Sequence, residues 1–212
     1  MRKRVRPVIV ILLSSMLFPL GAVAEPVRGV VFDDRNENGV RDAGESGVPD
    51  VGVSNGLDVV LTDAEGRYTL ALDGDGEIFV IKPSGWMTPV TGQLIPNFHY
   101  VHRPNGSPSL TFPGIAATGP LPESVDFPLR RQAEPDRFDV ILFGDAQPRN
   151  VQEVNYLAHD VFEEVAGREA AFGITLGDIV FDDLSVFGPL KEAMSCMGLP
   201  WYNVLGNHDV NK

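Results

Sequence analysis

Two regimes of hydrophobic patterning divide the chain. From residue 25 to about 132, short runs alternate apolar and polar positions: Val27-Arg28-Gly29-Val30-Val31-Phe32, Val51-Gly52-Val53, Asp58-Val59-Val60-Leu61, Arg67-Tyr68-Thr69-Leu70 and Ile78-Phe79-Val80-Ile81. Asp63-Ala64-Glu65-Gly66 and Asp73-Gly74-Asp75-Gly76 punctuate them. Short strands at close spacing with turn residues between them predict an all-β sandwich of immunoglobulin or transthyretin type. Residues 83–122 are rich in proline and glycine and predict a long ordered excursion of this domain. Val125 to Leu129 is its expected last strand, and residues 133–137 are the expected linker.

From residue 138 the period changes. Phe138 to Phe143 is apolar apart from Asp139, and Ala171 to Leu176 is a second such run. Both predict strands buried on two faces, and Trp201 to Leu205 predicts a third strand. Between the first two, Val151, Val154, Leu157, Ala158, Val161, Phe162 and Val165 recur at helical spacing. Asn150 is the expected cap with Glu153 as its capping-box partner, and Gly167 the stop. Pro189 to Met197 predicts a second helix ended by Gly198, with Cys196 as a small buried apolar residue within it. A β-α-β-α-β order implies parallel strands joined by right-handed crossovers.

The N-terminus adds a compartment. Arg2, Lys3, Arg4 and Arg6 precede an apolar stretch from Val8 to Leu20, and Ala22-Val23-Ala24 supplies small residues for cleavage. Residues 1–24 therefore predict a secretory signal peptide, since the apolar run is short for a membrane anchor. Export to the periplasm or the extracellular space follows, with no membrane span after cleavage. The whole chain of 212 residues carries 17 basic and 29 acidic residues. Without the four basic residues of the leader the net charge becomes −16. Such a surface argues against nucleic-acid binding and suits cations. A single cysteine excludes an intrachain disulfide.

Candidate chemistry lies at the ends of the three later strands. They close on Gly144-Asp145-Ala146-Gln147, Gly177-Asp178 and Gly206-Asn207-His208-Asp209. Ligands of open α/β sheets bind at the carboxyl ends of the strands. Carboxylate, amide oxygen and imidazole suit hard or borderline divalent metals. A second candidate is the twelve-residue stretch 34–45, which fits the calcium-loop pattern. Asp34, Asn36, Asn38 and Asp42 fall at oxygen-ligand positions, Val40 would offer its carbonyl, Gly39 makes the turn, and Glu45 closes the loop. A polar turn that holds no ion is the plain alternative. His99, His102 and His159 are expected in ordinary loop or helix-surface roles.

The strand-end motifs resemble the calcineurin-like metallophosphoesterase superfamily, whose pattern is Asp-x-His, Gly-Asp-x-x-Asp, Gly-Asn-His-Asp/Glu and two later histidine motifs. The resemblance implies two divalent ions of the manganese, iron or zinc type. It implies that Asp145 and Gln147 hold the first metal, Asp178 bridges both, and Asn207 holds the second. His208 would act on the substrate phosphate as the catalytic acid, with Asp209 orienting it. Three departures stand out. Gln147 replaces the usual histidine, Asp182 lies four rather than three residues after Asp178, and the later histidine motifs do not follow within residues 1–212. The expectation is a phosphate mono- or diesterase whose catalytic domain, 138–212, is a truncated N-terminal part. Residues 28–86 resemble both the B-type repeat of bacterial surface adhesins and the N-terminal domain fused to such phosphoesterases. The resemblance carries a non-enzymatic rival: a calcium-stabilised adhesion module with a vestigial catalytic tail.

Overall fold

The structure is a computed structural model that describes residues 25–212; the expected signal peptide lies outside the described residues. The chain is mostly β, arranged in three sheets. Eight strands come first: β1 (Glu25–Asp33), β2 (Gly52–Ser54), β3 (Val59–Leu61), β4 (Arg67–Leu72), β5 (Gly76–Val80), β6 (Trp86–Met87), β7 (His99–His102) and β8 (Phe127–Arg131). They form two four-stranded sheets of order β4-β1-β8-β6 and β3-β2-β5-β7. β1 pairs antiparallel with β4 but parallel with β8.

One core joins the two sheets. Val27, Val31, Tyr68, Leu70, Phe127 and Leu129 from one meet Val53, Ile78 and Val80 from the other. The alternation along β4 shows the cause: Tyr68, Leu70 and Leu72 are buried while Arg67, Thr69 and Ala71 face water. The Tyr68 hydroxyl donates to the Val125 carbonyl at 2.6 Å, which satisfies a polar tip inside that core. Burial, and secondarily Asp126, pushes this phenol well above its usual range.

Residues 83–122 depart from the expected excursion. They contribute β6 and β7, so His99 and His102 lie on a strand paired with β5 rather than in a loop. The stretch also reaches into the second core. Ile95 packs there, and Leu94 accepts a backbone bond from Trp201 at 3.0 Å. Phe112 and Thr111 bond Asn211 and Lys212.

The remaining strands, β9 (Val140–Phe143), β10 (Phe172–Leu176) and β11 (Trp201–Val204), run parallel in the order β11-β10-β9. The first crossover is α1 (Val151–Leu157), a π-turn over Ala158–Phe162 and α2 (Glu163–Val165). Asn150 caps it by accepting from Glu153 N–H at 3.0 Å, while the Glu153 carboxylate takes the amide of Arg149. The second crossover is α3 (Phe187–Met194), flanked by 3-10 turns at Leu184–Val186 and Ser195–Met197, so it starts earlier than the periodicity predicts. Cys196 is exposed on the last of these turns, not buried as expected.

Two successive crossovers stepping in one direction put both helices on the same face of the sheet. There Phe162, Leu190, Met194 and Trp201 build a second core with Ile141 and Phe143. Gly173 permits this packing, because a methyl group there would fall 1.9 Å from the Trp201 ring. The opposite face is only partly covered, which corrects the expectation of strands buried on both sides. Leu142 is 56% exposed and Leu176 and Val204 are each 53% exposed. Phe138, Phe172, Ile174 and Tyr202 line a cleft of about 580 Å³ on that side, together with Lys82 and Glu134. Among the described residues no helix is long and apolar enough to cross a membrane.

Candidate metal centre

All three strand-end motifs arrive at one end of the β9-β10-β11 sheet, because parallel strands in sequential register deliver their carboxyl termini together. The turns that follow are unusual. Asp145, Gln147, Asp178 and Asp182 all take the left-handed backbone conformation, with φ of 57°, 42°, 46° and 58°. Non-glycine residues adopt it at a cost, and such strain concentrates at functional sites.

Those conformations aim the side chains at one another. Gln147 Nε2 contacts Asp145 Oδ1 and donates to Asp178 Oδ2 at 2.9 Å. The amide N–H of Gln147 is itself held by the Asp178 carbonyl at 3.1 Å. Two carboxylates thus converge on one amide, which occupies the place where a positive charge would relieve their repulsion. The same amide turned over presents its oxygen to that point, since amide orientation is assigned from the network. Two carboxylates and one amide oxygen form a hard donor set that fits a divalent ion. Asn207 is exposed at the start of a 3-10 turn, Asn207–Asp209, and its side chain does not join this contact set. Among the described residues no group of three or more His, Cys, Asp or Glu side chains is placed to hold a metal ion. Only the Gln147 amide joins Asp145 and Asp178 in this contact set.

Gly206 earns its position by close approach. A Cβ there would lie 2.0 Å from Asp178 Oδ1 and 2.1 Å from Asp178 N. The turn after β11 can pass Asp178 only without a side chain. Gly144 has no such neighbour, so close approach explains one of the three motif glycines and not the first.

His208 and Asp209 have different partners than expected. His208 donates its backbone N–H to Asp178 Oδ1 at 3.1 Å, which ties it to the carboxylate cluster. Its ring stacks on Phe181 at 4.4 Å between centroids and meets Asp182 Oδ1 through Nδ1 at 3.0 Å. Asp209, expected to orient that ring, is instead buried. Its carboxylate accepts from the backbone amides of Ile179, Val180 and Gly206 at 2.8–3.0 Å. Four bonds from fixed backbone donors leave the group as a clamp between the β10 and β11 turns. The partner of His208 is Asp182, one residue beyond the spacing of the motif. Its left-handed φ is what carries the carboxylate back to the ring.

Phe181 and Arg149 carried no sequence signal as site residues. The Arg149 guanidinium lies 4.7 Å from the Phe181 ring centroid, so one aromatic ring contacts both a cation and an imidazole.

In the loop 34–45 the side chains close on themselves. Asp34, 3% exposed, accepts from the amides of Asn38 at 3.2 Å and Gly39 at 2.8 Å. Asn36 and Asn38 both donate to Asp42 Oδ2, at 2.8 and 2.9 Å. Asn38 Oδ1 accepts from Val40 N–H at 2.7 Å. Glu45 spans the loop, accepting from Arg35 N–H at 2.9 Å and Asp42 N–H at 3.0 Å. As at Gln147, amide groups meet the acidic oxygens. His159 is solvent-exposed and faces Glu163 one helical turn on.

No curated protein matches the chain. Residues 35–112, in the β-rich part, match the family model MetallophosN, described as the N terminal of Calcineurin-like phosphoesterase, and this match supports the calcineurin-like phosphoesterase superfamily.

Proposed function

We propose that this chain is a metal-dependent phosphoesterase, acting on phosphate esters at the β9-β10-β11 strand ends. The observation that carries the reading is the juxtaposition of a polarised imidazole with a strained carboxylate cluster. His208 is tied to Asp178 through its backbone and to Asp182 through its ring. In this reading Asp145, Gln147 and Asp178 hold a divalent ion, and Asn207 serves a second ion of the same manganese, iron or zinc class. Bound metal supplies Lewis-acid polarisation of the phosphoryl group.

The chain's own residues do the rest. The contact with Asp182 occupies Nδ1 of His208, which leaves Nε2 as the nitrogen that exchanges a proton with the leaving oxygen. Phe181 fixes the plane of that ring. Asp209 holds the turns after β10 and β11 at one spacing. The net charge of −12 does not draw an anionic substrate, so attraction must be local to the site.

Manganese binding followed by electron paramagnetic resonance tests the reading. The protein should take up the ion, and Asp178→Asn should abolish uptake. Binding that survives both Asp145→Asn and Asp178→Asn overturns it. A second reading concerns the β-rich domain, where Asp34 is buried within a closed acidic loop. There calcium at Asp34, Asn36, Asn38, Val40, Asp42 and Glu45 would stiffen an exported module.

A further inference from the structure

We propose that Arg149 is the anion-recognising residue of this site and that it selects phosphomonoesters over diesters. The inference rests on the phosphoesterase reading above and names the substrate class that it leaves open. Arg149 follows Gln147 by two residues, on a segment joined to the Asp178 turn by backbone bonds from Gln147 to Asp178 and from Phe181 to Pro148. Its guanidinium sits against Phe181, whose ring in turn stacks on His208. One aromatic ring therefore links the cation to the imidazole.

Three features make this cation available to a ligand. Among the described residues its guanidinium forms no ion pair, in a protein with 29 acidic residues. Its backbone N–H is anchored by Glu153 Oε2 at 2.7 Å, which steadies the segment without touching the charge. Beyond the approach to Phe181, the guanidinium N–H groups make no hydrogen bond among the described residues. A planar fork of donors matches two oxygens of a phosphate.

The choice of monoester follows from oxygen count and charge. A phosphomonoester presents three non-bridging oxygens and close to two negative charges. A diester presents two oxygens and one charge. Oxygens committed to the metal cluster leave the monoester at least one more for Arg149 than the diester has. The acidic surroundings penalise a second charge unless a cation meets it, and Arg149 is the cation on the segment that follows Gln147.

The test is binding, read by phosphorus NMR as line broadening of phenyl phosphate and of dimethyl phosphate by the manganese-loaded protein. Wild type should bind phenyl phosphate more tightly. Arg149→Ala should weaken phenyl phosphate by about tenfold or more, the scale of a charge-assisted pair, and leave dimethyl phosphate within about twofold. Arg149→Lys keeps the charge without the fork and should fall between. Manganese affinity should be the same in all three proteins, which separates recognition from damage to the fold. If Arg149→Ala binds both ligands as wild type does, or loses both equally, the inference is wrong while the phosphoesterase reading stands. If manganese-loaded wild type binds neither ligand, both fail together.

Discussion

Asp182 Oδ1 lies 3.0 Å from His208 Nδ1, joining two residues 26 positions apart. With Phe181 stacked on the same ring, the imidazole is held by one polar and one apolar contact. The arrangement predicts that Nδ1, the nitrogen facing Asp182, carries a proton. Long-range nitrogen–proton NMR of His208 should detect that state in wild type. Asp182→Ala should release it toward the Nε2-protonated form, whereas Asp209→Asn should not. An unchanged tautomer in Asp182→Ala removes Asp182 from its positioning role.

Asp209 is predicted to be structural. Its removal leaves the buried amides of Ile179 and Val180 without their acceptor, together with that of Gly206. Asp209→Ala should therefore cost about 3 kcal/mol in denaturant unfolding, the scale of several orphaned buried donors. Gly206→Ala should act on the same turn by steric conflict with Asp178 and reduce manganese affinity. Near-wild-type stability in Asp209→Ala would contradict the clamp.

Acid should weaken the tie between the segment after β5 and the segment after β8. Lys82 and Ser84 bond the Glu134 carboxylate, and these bonds, with the Gly85 amide, hold its pKa down to about 2 from the ordinary 4.5. A lowered folded-state pKa contributes stability that is fully present above 4.5 and is lost as pH falls toward 2. Melting temperatures of wild type and Glu134→Gln should thus differ at pH 6 and converge near pH 2. The group is solvent-accessible, so the difference should be small and salt-sensitive. A gap that persists unchanged down to pH 2 rules out this source.

Calcium is predicted to raise the melting temperature of the protein through the loop 34–45. Ligand binding to the folded state alone stabilises in proportion to the logarithm of ligand over its dissociation constant. Glu45→Gln should remove most of the shift, because Glu45 is the residue that spans the loop. No response to millimolar calcium would mean that the internal amide bonds of the loop are sufficient by themselves.

Much of the architecture was legible from local pattern. β4 and β5 form where residues alternate, and the helical span 151–165 begins at Asn150 and ends before Gly167 as its caps predict. The positions of Asp145, Gln147 and Asp178 at strand ends followed from the same patterns. What failed to show was anything set by distant packing. Residues 83–122 contain too much proline and glycine for periodicity, yet β7 forms there because β5 offers an edge to pair. Cys196 is apolar in composition but lies on the outward side of a 3-10 turn.

The sequence by itself determined which side chains could meet at the strand ends, because a strand–turn–helix pattern dictates where each chain segment reverses. Tertiary structure alone decided which of them touch. Asp182 reaches His208, and Asp209 does not, because left-handed turns rotate one carboxylate onto the ring and bury the other among backbone amides. It also decided that helices pack on only one face of the parallel sheet, since the direction of two crossovers is a property of the whole sheet and of no single segment.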